Sequence, residues 1–419
     1  MSPTRRRLLG VLGASVLAGC TDSGSPGTNT SQPPTHTTVP TTAESKMATH
    51  SDIDERVKTK PPGEPPVSAS GSWPQLGFDA GNTGYSPNGT GLREAEETWV
   101  LDAGGTAAMA DGTLYNLDMV GDDTTGLVGR DPSTAETRTE TPLVPYGVSS
   151  PPTLVSGRAF VNTFIEVFCC DADTGEVLWR GPEMDGIQGA PAVADGRVFV
   201  NSGGFKSVPA HLRGFDIETG EELWRYDTES ETKSTPAVVD GVVYVAAIDG
   251  LHAVDAETGE RVFHVPEAGE RWTNPVVADG RVYVQHHDAG LSVVDATDGS
   301  TLWTGPETGS EPVVTSASVF VESDDGLQIL DPADGTDRRD STPWTPSRPL
   351  AVVGDVLYAA SGGTIEGIDA VTGEELWYVS TPEVQVTDVV RQGIYGITPV
   401  DGVVYAKAAD GFHAFAAPQ

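Results

Sequence analysis

Residues 235–263 read "TPAVVDGVVYVAAIDGLHAVDAETGERVF", and residues 274–303 read "NPVVADGRVYVQHHDAGLSVVDATDGSTLW". The two are copies of one pattern. A short apolar run meets a tight turn, and a β-branched run with one aromatic follows. A second turn leads into another alternating run. Then come Asp-x-x-Thr/Asp-Gly and a last run carrying Trp or Phe. Alternation at period two between glycine-containing turns specifies antiparallel hairpins. Four strands per unit make a propeller blade.

The second-strand aromatic recurs eight times, at Tyr115, Phe160, Phe199, Tyr244, Tyr283, Phe320, Tyr358 and Tyr405. The Asp that opens the third turn recurs seven times, at Asp131, Asp171, Asp216, Asp255, Asp295, Asp331 and Asp369. The eighth unit runs out at "GFHAFAAPQ", after its third strand. At the other end "EETWVLD" (96–102) carries Trp99 with no strands before it. The expectation is an all-β, eight-bladed propeller of four-stranded antiparallel blades, the last blade closed by the N-terminal strand around Trp99. Such closure removes exposed sheet edges. From Trp99 to Gln419 the chain holds eight units of about 40 residues.

The recurrent residues have local reasons. Gly175, Gly220, Gly259 and Gly373 fall where a hairpin needs positive φ. Asp171, Asp216, Asp255 and Asp369 can accept bonds from turn N–H groups. In isolation such carboxylates suggest metal or acid/base chemistry, but recurrence once per blade makes them turn caps. Trp179, Trp224, Trp303 and Trp377 each follow their Asp by eight residues and are expected to wedge between blades. The equivalent positions are Thr139 and Arg339 in two degenerate units.

These units resemble the quinoprotein-type repeat, and "WPQLGFDAGNTGYSP" (73–87) is similar to the lead-in of the same group. The resemblance covers Trp73 to the end. It is nearest in type to secreted, lipid-anchored repeat proteins of haloarchaea, and more distant from the scaffold lipoprotein of the bacterial outer-membrane barrel-assembly machine. The family implies an eight-bladed propeller. It includes dehydrogenases that hold pyrroloquinoline quinone and Ca²⁺ in the central funnel, and propellers without catalysis; the repeat alone does not choose between them. The quinone enzymes need an aromatic floor, basic and hydroxyl contacts, and Glu, Asn or Asp for Ca²⁺. That set does not map onto this sequence residue by residue. No Cys-x-x-Cys-His for covalent haem occurs, and no Gly-x-Ser-x-Gly or phosphate loop.

"FCCDADTGEVLW" (168–179) holds adjacent cysteines, a feature of some quinone enzymes. Aligned on the other blades, Cys170 replaces Val254, Val294, Leu330 and Ile368, and Cys169 replaces Ala253, Val293, Ile329 and Gly367. Both are third-strand positions, which suits small buried apolar residues. Free packed thiols and a vicinal Cys169–Cys170 disulfide both fit; a redox role does not fit the position. His286 and His287 precede Asp288 but align with the end of a second strand, so no metal site is expected there. The remaining His residues are isolated along the sequence.

Acidic residues number 61 against 25 basic, of which six are Lys, for a net charge of −36. Regular apolar clusters exclude a disordered acidic chain. The surface suits a protein kept soluble in strong salt, and its field repels nucleic acid. At the start, Arg5 and Arg6 lie in "TRRRLL", which resembles a twin-arginine export signal. The apolar run behind it is too short to span a bilayer. Leu17-Ala18-Gly19-Cys20 resembles a lipobox, with Cys20 as the lipidation site. The expected organisation is a signal peptide over 1–19, a disordered Ser/Thr/Pro-rich tether over 20–72, and the propeller over 73–419. Asn29 and Asn88 fit glycosylation acceptors. The chain is thus expected to be a monomer, lipid-anchored on the extracytoplasmic face of the cell membrane.

Longer insertions occur at 116–126, 201–211 and 381–397. In a four-stranded blade all three fall on the face opposite the tight turns, which points to a recognition surface. The sequence therefore predicts a binding or assembly module for protein or cell-envelope partners, with no cofactor. The alternatives are a dehydrogenase of alcohols or sugars using pyrroloquinoline quinone and calcium, and a glycan binder using Trp272 and Trp344.

Overall fold

A computed structural model describes residues 57–59 and 71–418, apart from 103, 122, 145–149, 185, 204–209, 229, 233, 267–272, 287–289, 309, 324–325, 339–346 and 387–388. Within it the repeats form eight small antiparallel sheets. Blades 1 to 7 cover 107–144, 153–180, 187–227, 237–266, 276–304, 313–330 and 347–380. Blade 8 combines Ile394–Val400, Val403–Ala408 and Phe412–Ala416 with Glu96–Leu101, and Trp99 pairs with Ala414. The innermost strand of each blade neighbours the innermost strands of the blades before and after it, and the sequence of neighbours closes on itself. The expected eight-bladed propeller and its N-terminal closing strand are both present.

Alternation explains the packing. Second and third strands are apolar on both faces, because one face meets the preceding blade and the other meets the next. The core therefore lies between blades. Phe160, Cys169 and Trp179 of blade 2 pack with Val198, Val200 and Phe215 of blade 3. Phe199 of blade 3 packs with Val238, Val243 and Val254 of blade 4. The same scheme continues through Tyr244, Tyr283 and Phe320.

Three features depart from the simple repeat. Blade 6 has three strands among the described residues, its fourth reduced to a single bridge between Leu330 and Asp337. Two short strands precede Trp99: Val57–Thr59 pairs antiparallel with Glu96–Leu101, and Tyr85–Ser86 pairs parallel with Val352 and Val353. An additional hairpin, Val384–Val386 with Val389–Arg391, stands in the connection from blade 7 to blade 8. No described helix is long and apolar enough to cross a membrane.

Candidate functional site

A propeller has one predictable weakness. Eight innermost strands turn an unpaired edge toward the central channel, and buried N–H groups there need acceptors. The lead-in supplies them. Carbonyl oxygens of Trp73, Pro74, Ala80, Gly81, Thr83 and Gly84 accept the N–H groups of Met109, Leu154, Val238, Val277, Val314 and Val352, at 2.6–3.0 Å. These six donors occupy one register position, the residue after that paired with the second-strand aromatic, in blades 1, 2, 4, 5, 6 and 7. In blade 8 the position is Pro399, which has no N–H to satisfy. Ala80 packs against the blade 3 and 4 cluster. Thr90 reaches blade 8, its N–H bonded to Asp401 at 2.7 Å and its carbonyl accepting from Gly402. The segment thus follows the ring in blade order and fills the channel at its tight-turn end.

Asn82 sits at the middle of that segment. It holds φ 57°, a left-handed conformation that Asn tolerates. Its amide nitrogen lies 3.1–3.4 Å from the carbonyls of Thr235, Pro236 and Pro275. Asp79 clamps the turn from the other side through the N–H and hydroxyl of Thr83.

The next layer of the channel is also committed. Thr235 Oγ1 accepts from the N–H of Ala190 in blade 3, Asn274 Oδ1 from that of Thr235, and Glu311 Oε1 from that of Asn274, at 2.9, 2.6 and 3.3 Å. Each side chain therefore ties its blade to the preceding one. A cavity of about 230 Å³ remains, bounded by the lead-in, Thr106, Asn274, Glu311 and Tyr395. Glu311 is the one charged group among its described lining residues. A quinone bearing several carboxylates requires cationic contacts. The described lining supplies none, and its carboxylate and amide already serve the blade junctions. The described lining of this cavity does not fit the quinone.

On the opposite face, four large apolar side chains stand in solvent on three consecutive blades. Met119 ends the second strand of blade 1, Phe164 and Ile165 form the corresponding connection of blade 2, and Tyr395 opens blade 8; they are 50%, 49%, 41% and 58% exposed. The insertions at 116–126 and 381–397 lie on this face, the latter carrying the additional hairpin. Of 201–211, residues 204–209 lie outside the described residues, as do Trp272, Trp344 and Arg339.

The repeated residues lie elsewhere. Asp171, Asp216, Asp255 and Asp369 each accept from the N–H three residues on, at 2.7–2.9 Å. Their carboxyls sit below the usual range. For Asp171 and Asp255 the first cause is that N–H, for Asp216 the Thr219 hydroxyl, and for Asp369 the Arg93 guanidinium. Gly175, Gly220, Gly259 and Gly373 hold φ of 70–73°. The indole N–H of Trp179, Trp224 and Trp303 donates to Ile217, Ala256 and Pro332, one residue past the Asp of the next blade. Trp99 uses Pro132 in the same way. Blade 8 has no such turn to receive Trp377, and the carbonyl of Leu92 takes its place at 2.6 Å.

Cys169 and Cys170 are buried, free, and on opposite faces of blade 2, one packed toward blade 3 and the other toward blade 1. Burial pushes the thiols up, to about 11 and about 12. Asn88 is exposed, whereas Arg5, Arg6, Cys20 and Asn29 lie outside the described residues. His286 ends a strand, and His287 and Asp288 lie outside the described residues. The remaining histidines are not all isolated in space. His252 and His264, cross-strand partners in blade 4, stack with ring centroids 4.2 Å apart beside Asp249. Twelve residues of sequence separate them, and only the hairpin register could have brought them together on paper.

A protein-family model described as "Outer membrane protein assembly factor BamB" matches residues 98–235 and 208–342, more than half the chain. Solved structures share the architecture. A europium-containing methanol dehydrogenase aligns with a TM-score of 0.63 at 13% identity, over 80% of this chain and 89% of its own. The quinohemoprotein alcohol dehydrogenase of Comamonas testosteroni gives 0.62 at 15%, over 84% and 82%. BamB from Moraxella catarrhalis gives 0.59 at 17%, over 78% and 98%. At these identities the likeness concerns the fold alone. No curated protein matches.

Proposed function

From the premise that the chain belongs to the outer membrane protein assembly factor BamB family, we propose that it is a binding or assembly module. Its partners would be proteins or cell-envelope polymers, met on the face opposite the tight turns. The observation that carries this reading is the use of the channel. Its polar groups hold blade to blade, and its tight-turn end is filled by the chain's own lead-in. The exposed apolar residues Met119, Phe164, Ile165 and Tyr395 supply apolar contacts on that face. The export and lipobox motifs, with Cys20 acylated, would tether the propeller outside the cell membrane. Dehydrogenases share this fold, but the described cavity lacks the cationic contacts their quinone needs.

The test compares faces. Detergent extracts of the parent membrane are passed over the immobilised protein. We expect a specific partner to be recovered by the wild type and by Val371→Ser, an exposed residue of a tight turn in blade 7. Met119→Ser/Phe164→Ser/Ile165→Ser is expected to lose it. Equal recovery by all three proteins would remove the proposed face.

A further inference from the structure

Blades 4 and 8 carry the same tetrapeptide pattern at the same place, "DGLH" at 249–252 and "DGFH" at 410–413. In both, the turn carboxylate meets Nε2 of the histidine three residues on, at 3.1 Å in blade 4 and 2.9 Å in blade 8. The surroundings then differ. In blade 8, Nδ1 of His413 meets a second carboxylate, Glu97, at 2.9 Å, and both ring nitrogens are occupied by acids. In blade 4, Nδ1 of His252 meets the Tyr226 hydroxyl of blade 3 at 2.9 Å. A second imidazole also arrives: His264 stacks on His252 at 16° between planes, and its Nε2 donates to the Asp249 backbone carbonyl at 3.2 Å and lies 3.8 Å from Asp249 Oδ2. Two imidazole nitrogens thus lie beside one aspartate, and the three ligand atoms lie within 4.8 Å of one another.

From this geometry we propose that Asp249, His252 and His264 form a transition-metal site of the zinc type. Two imidazoles and one carboxylate are the donors that suit Zn²⁺, Co²⁺ or Ni²⁺ rather than Ca²⁺ or Mg²⁺. Tetrahedral zinc holds its ligand atoms about 3.3 Å apart and in the plane of each ring, so closure needs the two rings to unstack and the widest separation to contract by up to about 1.5 Å. Metal binding needs no net loss of a proton from either ring: each moves its proton from Nε2 to Nδ1, in His252 onto the Tyr226 oxygen and in His264 away from the Asp249 carbonyl, and the Nε2 lone pairs take the metal. Tyr226 is then the positioning residue. Three protein ligands leave a fourth position for water or for a group of a bound partner. This inference does not depend on the proposed function.

The test uses the full chain, stripped with chelator and kept in high salt with excess Mg²⁺ so that the acidic surface does not compete. Zn²⁺ is titrated against a chromophoric chelator, and Co²⁺ is followed by its visible d–d bands. The expected result is one tight equivalent, with tetrahedral-type Co²⁺ bands and a raised thermal midpoint. Tyr226→Phe is expected to weaken it about 10- to 100-fold, and His264→Gln to weaken it by more than about 100-fold. His264 is half-buried on an outer strand, so its variant should fold, which circular dichroism checks. His211→Gln, on blade 3, should bind as the wild type does. Absence of saturable Zn²⁺ and Co²⁺ binding, or unchanged affinity in His264→Gln, overturns the site.

Discussion

Gly220 illustrates what a repeated residue does here. Its φ of 71° is left-handed, and a Cβ built on it would stand 2.5 Å from the indole of Trp179 in the preceding blade. The turn and the blade junction therefore demand glycine independently. Gly196 separates the two demands: φ is 72°, yet nothing lies within 4 Å of an added Cβ. Gly196→Ala is expected to cost about 1 kcal/mol for backbone strain alone. Gly220→Ala adds overpacking against a rigid ring and should cost roughly 2–4 kcal/mol in total. Denaturant unfolding of the two variants measures the difference; equal losses would mean that the indole yields. The sequence shows the turn reason plainly, because Asp, Thr and Gly recur at fixed spacing. The indole contact is hidden, since it joins residues of different blades. The cysteine pair obeys the same logic. Alignment places Cys169 and Cys170 in a third strand, and alternation then sends them to opposite blade junctions.

At the scale of elements, periodicity was readable wherever it repeats. Eight second-strand aromatics set the blade count, and the last unit, ending at "GFHAFAAPQ" after its third strand, pointed to Glu96–Leu101 as its missing partner. The lead-in was not readable in this way. Its work is done by carbonyl oxygens, which every residue has, and side-chain identity records little of its path. Pro399 is the one trace, a donor removed where the ring needs no acceptor. Asn82 is the segment's principal side-chain anchor to blades 4 and 5. Asn82→Ala keeps the strained backbone and loses the bonds, so it should destabilise by about 2–3 kcal/mol, whereas Asn82→Gly relieves the strain and should cost less. Thermal and denaturant midpoints test the order. An Ala variant as stable as wild type would mean that the carbonyls alone hold the plug.

At the scale of the molecule, the caps add up to a pH dependence. Asp131, Asp171, Asp216, Asp255, Asp331 and Asp369 all have depressed carboxyl pKa values. A depressed pKa means stability that is complete above the unfolded value of about 3.9 and is lost as pH falls through the folded value. Unfolding midpoints should therefore drop below about pH 4. Asp216→Asn keeps the acceptor but not the titration, and should shallow that drop. An acid limb of unchanged steepness would place the effect elsewhere.

The candidate face was legible only in outline. Loop length placed insertions on one side, but Phe164 and Ile165 lie in a connection of ordinary length and gave no signal. A channel committed to blade junctions and the lead-in leaves no place for a quinone, and one measurement addresses that directly. The purified chain is titrated with pyrroloquinoline quinone in the presence of Ca²⁺, followed by calorimetry and by dye-linked oxidation of alcohols and sugars. The expected result is no saturable binding and no oxidation. Stoichiometric quinone binding with turnover would contradict it.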